Sequence, residues 1–172
     1  MDTCRITLNS QLTLEQRELY QDPKVIQRLL RDSKSTAVVG LSTDKTKASN
    51  MVASYLQDVG YRVIPVHPKA EEILGETAYP TVSAIPFPVD IVDIFRPADE
   101  VSDIVLQAAA NGAKAVWMQL RIVNIPAAEE ALRLGMEAVV DKCIKMEHGR
   151  YGGMLHLAGM NTEIISARRL AK

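Results

Sequence analysis

Apolar and polar residues fall in blocks along this chain, and the period of the pattern changes from block to block. Thr36 to Leu41 is a short, continuous apolar run rich in β-branched residues, the mark of a strand buried on both faces. From Ala48, apolar residues recur at Met51, Val52, Tyr55, Leu56 and Val59, the spacing of an amphipathic helix, and Gly60 follows as its stop. The strand pattern returns at Tyr61 to Val66, Val89 to Phe95, Ala113 to Met118 and Glu137 to Val140. Asp99 to Asn111 is a helix with Val101, Ile104, Val105 and Ala108 on one face, and Pro126 opens another that runs to Leu134. Ahead of the first strand, Thr13 caps a short helix from Leu14 to Tyr20. Pro23 then opens a second helix, with Val25, Ile26, Leu29 and Leu30 on its apolar face. Glu71 to Leu74 reads as one helical turn ended by Gly75, while Pro86 and Pro88 break regular structure.

Strand and helix alternate throughout. The pattern predicts an α/β fold, a Rossmann-like doubly wound parallel sheet of about five strands with helices on both faces and right-handed crossovers. Residues 1–23 read as an arm with a short helix, and 24–148 as the α/β domain proper. Residues 149–172 read as a tail that packs on the sheet or reaches a second subunit or protein partner. Within the tail, Tyr151-Gly152-Gly153 is loop-like and Glu163 to Leu170 reads as a short basic helix.

Composition narrows the classes. A chain of 172 residues fits one domain with a proper core. A net charge of -1 makes no electrostatic case for nucleic acid or an anionic membrane. No apolar run approaches the ~20 residues of a bilayer span. Met1 to Arg5 lacks the basic-then-apolar pattern of a secretory signal, and Cys4 and Cys143 have no metal-ligand spacing. A reduced, cytoplasmic setting is therefore expected. His67, His148 and His156 lie far apart and offer no metal cluster.

In a doubly wound sheet the ligand sits beyond the carboxyl ends of the strands, so the residues just past each strand carry the chemistry. After the first strand, Gly40, Leu41 and Ser42 lead into a loop of hydroxyls and lysines, with Lys45, Lys47, Ser49 and Asn50 at the start of the helix. First-turn N–H groups of a helix have no backbone partners, so strand, small-residue loop and helix start together suit a phosphate. The loop has neither G-x-G-x-x-G nor a Walker A sequence, which counts against a standard NAD or P-loop site. After the second strand, an NAD enzyme places a carboxylate on the ribose hydroxyls; here stands His67-Pro68-Lys69. A cation there pairs with a phosphorylated ribose, which means NADP or coenzyme A. Lys69 equally suits a solvated turn. After the third strand, Phe95, Arg96 and Pro97 supply a ring, a guanidinium and a rigid turn, though Phe95 also suits the core. After the fourth, Gln119 offers an amide. No nucleophile–base or paired-carboxylate spacing is present, and Asp90 and Asp93 read as structural.

The succession Val39-Gly40-Leu41-Ser42, Lys47 to Asn50, Gly60 to Lys69, Ile73-Leu74-Gly75, Asp90 to Pro97, Trp117-Met118-Gln119 and Asp141-Lys142-Cys143 resembles the stand-alone CoA-binding domain family. That family is similar to the amino-terminal domain of the succinyl-CoA synthetase alpha subunit. The resemblance implies a Rossmann-type fold that takes coenzyme A or an acyl-CoA. It implies a diphosphate loop at Gly40, Leu41, Ser42, Lys47, Ser49 and Asn50, a post-strand element at Pro68 and Lys69, and further lining at Phe95, Arg96, Pro97 and Gln119. Arg121 stands where the family often has glycine, and Lys142 where it often has arginine. The phosphohistidine chemistry of the synthetases belongs to a further domain. The expectation is a non-catalytic sensor, carrier or regulatory module. The alternatives are an NADP-dependent oxidoreductase or a non-catalytic subunit of an acyl-CoA enzyme.

Overall fold

A computed structural model describes residues 12–152. Five parallel strands form the sheet: β1 (Ser35–Val39), β2 (Arg62–Val66), β5 (Ile91–Ile94), β6 (Ala115–Met118) and β7 (Glu137–Val139). Their order is β2-β1-β5-β6-β7, all parallel, so the chain reverses its direction of build between β1 and β5. In such a sheet the two crossovers leaving the reversal point run to opposite faces and leave a crevice between them.

Side chains alternate across the sheet, and each face has its own core. Ala37, Val39, Val92, Ile94, Val116 and Met118 point towards α4 (Val101–Asn111) and α5 (Ile125–Arg133). Val38, Ile91, Ala115, Trp117 and Val139 point towards α2 (Pro23–Asp32), α3 (Ala48–Asp58) and α6 (Ile144–Tyr151). Near-continuous apolar strands are what burial on both faces demands. The Thr13 capping box of α1 (Leu14–Tyr20) is present, and the helix is tied down by Tyr20, whose carbonyl accepts the Val140 N–H.

Three local expectations are corrected. Glu71 to Leu74 is not a helical turn. It belongs to a two-stranded antiparallel hairpin, β3 (Glu72–Ile73) with β4 (Glu76–Thr77). Its two-residue loop has Leu74 at φ 56° and Gly75 at φ 76°, the paired left-handed conformation such a tight hairpin needs. Tyr151 is not loop but the last residue of α6. The buried face of α3 also differs: Met51 and Val59 are exposed, while Ser49 and Asn50 are buried because their side chains bond the preceding loop. The predicted helix from Glu163 to Leu170 lies outside the described residues. Among those described, no helix is long and apolar enough to cross a membrane.

Candidate functional site

A cleft of about 540 Å³ opens at the reversal point, beyond the carboxyl ends of β2, β1 and β5. One wall is the loop after β1. Gly40 has φ 84°, and a Cβ there would lie 2.9 Å from the Phe95 carbonyl oxygen and 2.9 Å from Arg96 Cδ. Only glycine lets the two loops approach this closely. Beyond it the loop is built by its own side chains. Ser49 Oγ accepts the Ser42 N–H at 3.1 Å, and Asn50 Nδ2 donates to the Ser42 carbonyl at 2.8 Å. Asp44 accepts from the Thr46 N–H and hydroxyl, closing a tight turn. Lys47 at the N-cap of α3 gives no side-chain acceptor, so the first-turn donors of that helix stay available to an anion.

The opposite wall comes from the turn after β2 and from α4. His67 Nδ1 accepts the N–H groups of Lys69 and Ala70 at 3.1 and 2.9 Å, which fixes the turn and puts the ring proton on Nε2. Arg96 reaches the cleft but is already occupied. Its Nε and a terminal nitrogen hold the two oxygens of Glu100 at 2.8 and 2.7 Å, a bidentate pair that a phosphate would have to displace.

Of the residues singled out from sequence, Gly40, Leu41, Ser42, Pro68 and Arg96 line the cleft together. Ser49 and Asn50 are buried supports of the loop rather than lining. Lys45, Lys47, Lys69 and Pro97 are exposed outside the cleft lining, and Phe95 is half-buried against the α2/α3/α6 core. Gln119 is buried at the end of β6 and donates to Asp93 Oδ1 at 2.7 Å. Sequence reasoning missed the contribution of Glu100, in the turn that leads into α4, and of Asp103 and Gln107 on α4. Their i, i+3, i+7 spacing, on the side of the helix away from its apolar stripe, was the available signal. It also missed the thiol's setting: burial pushes Cys143 up, against the N–H groups of Met146 and Lys145. Among the described residues no group of His, Cys, Asp or Glu is arranged to hold a metal ion.

Residues 34–149 match the sequence profile of the CoA binding domain. The chain belongs to this family. Within it, the protein YneT of Bacillus subtilis is 36% identical over 123 residues, covering 72% of this chain and 91% of YneT. A solved protein from Pyrococcus horikoshii OT3 superposes with TM-score 0.73 at 37% identity, over 75% of this chain and 91% of that one. The ADP-forming acetate–CoA ligase I of Archaeoglobus fulgidus is 32% identical over 123 residues, 66% of this chain but only 18% of the ligase. The CoA-binding domain is thus related to one region of much larger acyl-CoA synthetases, and stand-alone relatives of nearly its own length exist.

Proposed function

We propose that the cleft binds coenzyme A or an acyl-CoA, and that the chain acts as a non-catalytic sensor, carrier or regulatory module. The observation that carries this reading is the meeting of Gly40 and Arg96 at the reversal point, in a domain of the CoA-binding family. The diphosphate lies against the Gly40–Ser42 loop and the start of α3, where unpaired N–H groups meet negative charge. The turn held by His67 presents Lys69 to the ribose 3′-phosphate, and the pantetheine arm runs across the ends of β5 and β6 towards Gln119. The absence of a glycine fingerprint after β1 supports CoA over NADP. The match takes in only 18% of the length of the Archaeoglobus ligase, so the likeness supports CoA binding and not acyl transfer.

Calorimetric titration with CoA, acetyl-CoA, dephospho-CoA, NADP and NAD tests the reading. Binding of CoA, weaker binding of dephospho-CoA and no heat with NADP or NAD is the expected result. NADP binding without CoA binding would replace the reading with a reductase.

A further inference from the structure

Asp93 is the most enclosed charged residue of the described chain. It sits on β5 between Val38 and Trp117 in register, on the α2/α3/α6 side, with no exposed surface. No ion pair of the described residues involves it. One oxygen, Oδ1, accepts from Gln119 Nε2 at 2.7 Å, and the other, Oδ2, is sealed without any partner. A carboxyl is a costly group to bury at such a place.

What the carboxyl does is visible in its one side-chain partner. Gln119 follows β6 directly and is itself anchored, its carbonyl accepting the Ile122 N–H at 3.0 Å. A primary amide carries its donors on one side and its acceptor on the other, so fixing Nε2 fixes Oε1. Gln119 Oε1 accepts no hydrogen bond within the described protein, and unlike Asp93 Oδ2 it is not sealed from solvent. It lies at the carboxyl edge of the sheet, one strand from the Phe95–Arg96 turn that borders the cleft.

We propose that Asp93 is a positioning residue: by holding Nε2 it aims Gln119 Oε1 over the carboxyl edge of the sheet, as the acceptor for an amide N–H of the ligand. The proposal rests on the CoA reading of the cleft, and it identifies the pantetheine arm, which carries two amides, as the part recognised here. The nucleotide end carries no such amide, so it does not sense Asp93. Without Asp93 nothing holds the Gln119 amide in this orientation, and its Nε2 turns towards the ligand's N–H, a donor against a donor.

The test compares CoA with adenosine 3′,5′-bisphosphate, which keeps the nucleotide end and lacks the arm. Asp93→Ala and Gln119→Ala should each weaken CoA about tenfold, as loss of one hydrogen bond does, and leave the bisphosphate unchanged. The double variant should lose no more than either single one. Asp93→Asn keeps an acceptor for Nε2 and should bind CoA as the wild type does. Equal losses for both ligands, additive losses in the double variant, or failure of folded Asp93→Asn would overturn the proposal. If Asp93→Ala does not fold, the side-chain NH₂ resonances of Gln119 in the wild type decide. They should move on adding CoA and stay still on adding the bisphosphate; movement with both, or with neither, rejects the assignment. A wild type that binds the bisphosphate but not CoA would instead reject the reading of the cleft.

Discussion

Asp90 and Asp93 lie at opposite ends of the same short strand region and are treated in opposite ways. At the amino edge, partial burial alone would push Asp90 up, but the Lys114 ammonium, the Lys34 and Ser35 N–H groups and the Ser35 hydroxyl outweigh it and hold the carboxyl at about 2. Towards the carboxyl edge, complete burial pushes Asp93 up to about 7, and the bond from Gln119 and the lesser pull of the adjacent Ile94 N–H do not offset it. One edge of the sheet is a closed set of satisfied groups that pins three strand starts together. The other has an orphaned oxygen, a free acceptor and a cleft. Local inconsistency of this kind concentrates where a protein works rather than where it is merely held together.

The largest effect should come from closing the carboxyl edge. Gly40→Ala puts a Cβ 2.9 Å from the Phe95 carbonyl oxygen at a left-handed φ, so it should destabilise by about 2–4 kcal/mol and abolish CoA binding. Chemical denaturation and titration of the same sample check both. Next is the amino edge. Asp90→Ala strands two backbone N–H groups, a hydroxyl and an ammonium, and should cost about 1–3 kcal/mol while leaving CoA affinity unchanged.

The two carboxyls also separate by pH. Asp90 is depressed below the ordinary value of ~3.9, so its contribution is present above that value and lost as pH falls towards about 2. Asp93 is raised, so its neutral form favours the folded state below ~3.9, and that advantage disappears as pH rises through about 7. Asp93→Asn should therefore gain stability on the wild type between those two values and gain nothing further above them. Denaturation midpoints across that range read it directly; a constant difference would mean Asp93 is ionised throughout. The smallest effect is expected at Glu100. Glu100→Gln frees Arg96, so CoA should bind a few-fold tighter, while an exposed pair of this kind changes stability by less than about 1 kcal/mol.

The frame was legible because apolar periodicity and glycine or proline punctuation agree with each other along most of the chain. Thr13, Pro23 and Asn124 all stand where helix ends need them, although Asn124 was not picked out. The hairpin was misread because Glu71 to Leu74 is too short for periodicity, and its decisive feature is a pair of left-handed residues at Leu74 and Gly75. Helix α6 was missed because Glu147 and Arg150 are buried as an ion pair, which erases the apolar stripe a helix usually shows. In the candidate site, Gly40 and Arg96 were readable as residues following strands. The buried roles of Ser49 and Asn50 were not, since a side chain bonded to its own loop looks in sequence like one offered to a ligand. Asp93 looked structural for the same reason: its value depends on which neighbour it meets across the sheet.

Amide resonances of the labelled protein during CoA addition test the central claim most directly. Gly40, Ser42, His67, Arg96 and Gln119 should shift together, while Lys34, Ser35, Asp90 and Lys114 at the amino edge stay in place. Saturable shifts at the amino edge, or none at the Gly40 and Arg96 loops, would contradict a CoA site at the reversal point of the sheet.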